Sequence, residues 1–194
     1  LRFLLIKKIT MIKPTFIDRK IVYNGPWQTI HCDHLETYTG TRIDYYVVNH
    51  RDAVAALPVT DDGKLVMIEQ YRHPVSKFVL DIPGGLIDPG EKPENSIKRE
   101  ILEETGYQTS HIEYLSRFCT DPSMSPQEII LYKASGLVKV SEAKREDSTP
   151  IKVHLLPPDI IRDAIYKGHY KNLSIISSWT MISLLFYLNS LNTG

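Results

Sequence analysis

Three things are scarce in this 194-residue sequence, and each scarcity closes off a class of function. Cysteine is the first. Cys32 and Cys119 are the two present and lie far apart, so no disulfide framework is indicated; both read as free thiols in a reducing, cytoplasmic compartment. A surplus of one charge is the second, since Lys plus Arg number 23 and Asp plus Glu number 23. Without a basic surplus a nucleic-acid scaffold role loses ground, and no nucleic-acid partner is expected. Long apolar runs are the third. The opening eight residues, ending Lys7-Lys8, are too short for a secretory core with its cleavage site, and Met11 reads as a natural start. The uncharged stretch from Asn172 onward is interrupted by Ser174, Ser177, Ser178, Thr180 and Ser183. It falls short of the ~20 mainly apolar residues of a membrane span and reads as a buried helix, Asn172–Leu188, with no membrane partner. Cys and His are expected to be unclustered, so no zinc site is anticipated, and Ser, His and Cys show no adjacent arrangement for covalent catalysis.

What is present is an ordinary globular composition, 42% apolar and 24% charged, enough for one well-buried domain and a small annex. Short β-rich runs at Lys20–Tyr23, Trp27–Leu35 and Ile43–Val48, punctuated by Asn24-Gly25-Pro26 and Thr39-Gly40-Thr41, predict a small antiparallel sheet within residues 1–48. Residues 49–194 form the main domain. Ala53–Val59 and Lys64–Gln70 flank Asp61-Asp62-Gly63 as a hairpin, and Phe78–Ile82 is a strand stopped by Pro83 and two glycines. Pro93–Thr105 is the clearest helix, with Pro at its start and Gly106 as its stop. Ile112–Cys119, Ile129–Ala134 and Ile151–Leu156 read as strands, Pro158–Lys167 as a helix, and 120–127 and Val138–Pro150 as loops. The order lacks the regular beat of a doubly wound sheet. It predicts an α+β fold with a mixed β-sheet sandwiched between helices.

The chemistry concentrates in Gly85-Leu-Ile-Asp-Pro-Gly-Glu91 and, seven residues on, Arg99-Glu100-Ile101-Leu102-Glu103-Glu104-Thr105-Gly106-Tyr107. Glu100, Glu103 and Glu104, spaced i, i+3, i+4, share one side of the helix. Three like charges so close repel unless cations compensate, and an oxygen-only anionic set suits Mg²⁺, with Mn²⁺ a possible substitute. Ile97, Ile101 and Leu102 are expected to face the core and the glutamates to face solvent, with Arg99 a neighbouring positive charge. The small size of Gly84 and Gly85 lets a backbone carbonyl approach a metal.

This constellation resembles the Nudix box, with every prescribed position filled. Glu69-Gln70-Tyr71-Arg72, Leu80-Asp81-Ile82-Pro83-Gly84-Gly85 and Thr120-Asp121-Pro122-Ser123-Met124-Ser125-Pro126-Gln127-Glu128 extend the likeness to the ADP-ribose and nucleoside-diphosphate-sugar pyrophosphatases. Three departures stand out. Asp81 replaces the usual strand glutamate, Gly84 the usual alanine, and the proline loop is one residue longer before Glu128.

The resemblance implies hydrolysis of ADP-ribose to AMP and ribose 5-phosphate, with GDP-mannose or UDP-glucose as alternative substrates and a catalytically silent binding module as the remote reading. It also implies the Nudix fold and a homodimer whose N-terminal strands help to build the active sites. Glu100, Glu104 and the Gly84 carbonyl would hold the metal, and Glu103 would contact it or orient a water. The general base would come from a loop offering Glu142, Glu146 and Asp147, with Glu146 favoured over Asp147. Arg72 would bind a phosphate oxygen and Glu128 the sugar or a metal. Trp27 would stack on the base, with Tyr45 or Tyr46 opposite.

Overall fold

The computed structural model describes residues 12–144, 150–171 and 174–191. The start at Met11 and the loop carboxylates Glu146 and Asp147 lie outside these residues. Contacts divide the chain into two compact units. One runs to His50 and takes in Asp121–Pro126; the other comprises Arg51–Thr120 and Gln127 onward.

The first unit is a three-stranded antiparallel sheet of β1 (Thr15–Asn24), β2 (Thr29–Glu36) and β3 (Arg42–Asn49), in that order. β1 and β3 are longer than the β-rich runs suggest, because pairing with β2 extends them. Arg19, opposite Asp33, forks onto its carboxylate at 2.6 and 2.7 Å. Segment 121–126 joins this unit through β3. The Val48 N–H donates to the Met124 carbonyl at 2.8 Å, and the Tyr45 hydroxyl donates to the Ser123 carbonyl at 2.5 Å.

The second unit holds two mixed sheets where the sequence suggests one. The first is built from β4 (Ala53–Pro58), β7 (Gly84–Leu86), β8 (Tyr107–Cys119) and β9 (Glu128–Lys139), in the order β7-β4-β9-β8 with β4 and β9 parallel. The other contains β5 (Leu65–Arg72), β6 (Lys77–Asp81), β10 (Lys152–Leu156), β11 (His169–Tyr170) and β12 (Ser174–Ile176), in the order β10-β5-β6-β12-β11. Among the described residues the unit also holds the α-helices α1 (Pro93–Thr105), α2 (Pro158–Lys167) and α3 (Ser178–Leu191). The class is α+β, as the sequence predicts.

Strand alternation sets the layers. Ala53, Ala55 and Leu57 of β4, with Ile129 and Leu131 of β9, face a core shared with β5, β6, α2 and α3. Val54 and Ala56, with Ile130 and Tyr132, face α1 on the opposite side. A period of two thus buries both faces of one sheet.

Four sequence expectations change. β8 starts at Tyr107 and β9 runs to Lys139, because the two strands pair along nearly their whole length, so the loop expected from Val138 begins later. β7 forms at the two glycines read as a stop, because β4 supplies its partners: Ala55 pairs with Gly84 and Val54 with Gly85. The stretch read as one helix from Asn172 instead contributes β12, parallel to β6, before α3 starts. β-Branched Ile175 and Ile176 pair there with Val79 and Leu80, and Ser177 caps the helix by accepting the Thr180 N–H at 3.0 Å. Among the described residues no helix is long and apolar enough to cross a membrane.

Candidate active site

Pro93, at the start of α1, needs no partner for an N–H it lacks. Gly106 closes the helix in left-handed backbone (φ 72°), its N–H donating to the Leu102 carbonyl. Ile97 and Ile101 anchor α1 in the core, each burial contributing about 1.5–3 kcal/mol.

That anchorage turns two glutamates inward. At about 100° per residue, positions 97, 100, 101 and 104 fall on one continuous arc, with 102 and 103 outside it. Glu104 is accordingly 1% exposed and Glu100 9%, whereas the side chain of Glu103 is 46% exposed. The expectation that all three face solvent is corrected, as is the placement of Leu102, which is only half-buried and lies outside the core cluster.

The first residues of β7 form the facing wall. The Gly84 N–H donates to Glu104 Oε2 at 2.9 Å. A Cβ at Gly85 would overlap the Glu100 carboxylate, and one at Gly84 would run into the Val54 carbonyl and the Ala55 backbone. Glycine at 85 therefore makes room for the Glu100 carboxylate, and glycine at 84 lets β7 lie close against β4. That close approach accounts for Gly84 standing where the resembling family usually has alanine.

Arg99 does more than the sequence indicates. Its Nη1 donates to Glu100 Oε1 at 2.8 Å and Glu103 Oε2 at 3.2 Å, while Nε and Nη2 fork onto Glu91 at 3.2 and 3.0 Å. The hydrogen bonds from Arg99 hold the Glu91 carboxyl below its ordinary range, and the same pairing raises the basicity of the guanidinium. Glu91 precedes Arg99 by eight residues across a loop, so helix periodicity cannot reveal the pair. Only the fixed spacing between Glu91 and Arg99 hints at it.

Asp81, near the end of β6, is buried. It accepts hydrogen bonds from the Ile82 N–H at 2.9 Å and from the Ser177 hydroxyl. Burial pushes its carboxyl up to about 6, opposed by those bonds and by the charge of Arg72. Arg72, half-buried at the end of β5, thus stands close enough to Asp81 to bias it.

The structure brings Gly84, Glu100, Glu103 and Glu104 together, with Arg99 and Glu91 of the same motif joined to them by ion pairs. Glu128 starts β9 and its carboxylate is 3.0 Å from Arg117. Glu142 is exposed, 3.8 Å from the Lys139 ammonium. Nearby, the Lys144 N–H donates to the Glu103 carbonyl at 2.7 Å, which holds the chain against α1 just before Glu146 and Asp147. Trp27, 68% exposed, and Tyr45 and Tyr46 belong to the first unit. In that unit the expectation of unclustered Cys and His is also corrected. Cys32, His34 and Asp44 offer donor atoms that all lie within 4.8 Å of one another, because Cys32 and His34 are two residues apart on β2 and strand pairing sets Asp44 of β3 opposite His34.

The family described as NUDIX domain matches residues 49–173. A methanol dehydrogenase activator of Bacillus methanolicus is 37% identical over 127 residues, covering 66% of this chain and 69% of that protein. An ADP-ribose pyrophosphatase of Bacillus subtilis (strain 168) is 33% identical over 130 residues, covering 67% and 70%. The crystal structure of an ADP compounds hydrolase shares the fold, with a TM-score of 0.81 at 22% identity over 95% of this chain and 97% of that one.

Proposed function

The chain belongs to the Nudix family, and on that premise we propose that it hydrolyses the pyrophosphate bond of ADP-ribose to AMP and ribose 5-phosphate. The observation that carries this reading is the pair Glu100 and Glu104, buried against Gly84 and Gly85 inside the matched region. The substrate rests on the relative named ADP-ribose pyrophosphatase, which matches two thirds of the chain.

An oxygen-only donor set beside Gly84 and Gly85 fits a hard divalent cation, Mg²⁺ or in its place Mn²⁺. When bound, such an ion neutralises pyrophosphate charge and acidifies a water. Glu100, Glu104 and the Gly84 carbonyl hold it. Arg99 keeps Glu100 aligned and Glu103 orients the attacking water. A carboxylate oxygen of Glu146, or failing that of Asp147, takes the proton from that water as its oxygen bonds to phosphorus and the phosphoanhydride bond breaks. The hydrogen bond from Lys144 to Glu103 supports this role, since it holds the loop's entry beside the helix. Arg72 pairs with a phosphate oxygen, Glu128 contacts the sugar, and Trp27 with Tyr45 sandwiches the base.

We further propose that residues 1–48 serve dimerisation and base contacts and 49–194 catalysis, in a cytoplasmic homodimer. Exposed Phe16, Ile21 and Tyr23 on β1 support this, since apolar side chains concentrated on one strand mark a contact surface.

The test is incubation with Mg²⁺ and ADP-ribose, GDP-mannose, UDP-glucose, NADH and 8-oxo-dGTP, with product identification. AMP and ribose 5-phosphate from the first, with the others slow, is the expected result; GDP-mannose or UDP-glucose cleaved faster would reassign the substrate. Glu104→Gln should lower kcat by about a hundredfold or more, and unchanged turnover would remove the metal site. A second reading follows from the relative named methanol dehydrogenase activator: this chain raises the activity of an alcohol dehydrogenase. It is tested by adding wild-type and Glu104→Gln protein to a dehydrogenase assay.

A further inference from the structure

We propose that Cys32, His34 and Asp44 form a binding site for a borderline divalent cation of the zinc class, on the N-terminal sheet and separate from the hydrolytic chemistry. Cys32 and His34 are two residues apart on β2 and so share one face of the sheet. Their partners on β3 are Tyr46 and Asp44, and on β1 Lys20 and Asp18. Register alone therefore gathers a thiol, an imidazole and two carboxylates on one face, drawn from three strands.

The distances suit a metal. Donor atoms of Cys32, His34 and Asp44 all lie within 4.8 Å of one another. Tetrahedral zinc, with bonds of about 2.0–2.3 Å, separates its donors by roughly 3.3–3.8 Å, so side-chain rotations suffice to close the site. The two ring nitrogens of His34 divide the work. Nδ1 is 2.8 Å from Asp44 Oδ1, on the cluster side, while Nε2 is 3.7 Å from Asp18 Oδ1. A metal-bound histidine commonly gives its other N–H to a carboxylate, and the exposed Asp18 carboxylate, at 3.7 Å, would reach that N–H by a small side-chain rotation.

The donor chemistry sets the ion. Thiolate with imidazole and a single carboxylate favours zinc over the hard cations that an oxygen-only set selects. Cys32 is 4% exposed, so its sulfur is shielded, while His34 and Asp44 on the solvent side leave a path of entry. Lys20, across from Cys32, is exposed and free to keep its ammonium in water. Three protein donors leave the fourth position to water, and the bound ion would tie β2 to β3.

Cobalt(II) added to the full chain is the probe, because thiolate-to-cobalt charge-transfer absorption cannot arise at a site made of carboxylates. The expected result is that band, saturating at one Co²⁺ per chain and bleached by Zn²⁺. It should be lost in Cys32→Ser and kept in Cys119→Ser and Glu104→Gln. Asp18→Asn and Asp44→Asn, at exposed positions where folding is not at stake, should keep native circular dichroism and weaken Co²⁺ binding by about ten- to a hundredfold. No band at saturating Co²⁺, a band that survives Cys32→Ser, or unchanged affinity in both aspartate variants would overturn the site and leave a hydrogen-bonded polar cluster in its place.

Discussion

Arg99 holds Glu91, Glu100 and Glu103 at once, and its removal tests how far the order of the site depends on one fixed cation. Arg99→Met leaves the inward-turned Glu100 without that partner, so stability should fall by about 1–3 kcal/mol in urea titrations without divalent cations. Saturating Mg²⁺ should recover part of that loss, because a second cation then faces the same carboxylates; an equal deficit with and without Mg²⁺ would count against the placement. Asp81 offers a test by pH. Its carboxyl is raised from 3.8 to about 6, so the folded protein holds that proton more tightly than the unfolded chain does. The destabilising contribution is absent below the unfolded value, grows as pH rises between the two, and is complete above the folded value. Asp81→Asn removes this dependence while keeping an acceptor for Ser177. Its stability relative to wild type should therefore improve by about 2–3 kcal/mol between about pH 4 and pH 8, read from thermal melts.

At the scale of elements, the start of α3 and the strand beside it act together. Ser177 accepts the Thr180 N–H and donates to Asp81, so one hydroxyl both caps a helix and satisfies a buried carboxyl on β6. Ser177→Ala should cost about 1–2 kcal/mol. In a double-mutant cycle with Asp81→Asn the two changes should depart from additivity by at least about 0.5 kcal/mol. Helix α1 was legible in the sequence because Pro93, Gly106 and the 3.6-residue period of Ile97 and Ile101 all agree. β7 was not, because glycines carry no strand signal of their own and pair only where β4 already lies. The break before α3 was equally hidden, since an uncharged run rich in isoleucine and leucine suits a buried helix and a buried strand alike.

For the whole molecule, the question is what β1 meets. All ten of its residues are exposed, and among the described residues it pairs with β2 alone, at the edge of its sheet. A long apolar edge strand invites a partner strand or sheet. Ile21→Glu, which places a charge on that strand, should convert a sedimenting dimer to a monomer with circular dichroism unchanged. A wild-type monomer at concentrations where ADP-ribose is hydrolysed would remove the shared-site proposal.

The sequence by itself determined the reaction class, because the spacing from Gly85 to Tyr107 is a local pattern that a single loop and helix can carry. It also determined the α+β class and the main helices, whose periodicity and stop residues are local as well. Tertiary structure decided which glutamates are buried, since that depends on how Ile97 and Ile101 dock. It decided the reach of Arg99 to Glu91, the hydroxyl that joins Asp81 to α3, and the meeting of Cys32, His34 and Asp44. Each of these joins residues through strand register or helix docking, and no spacing along the chain encodes a distance that only packing sets.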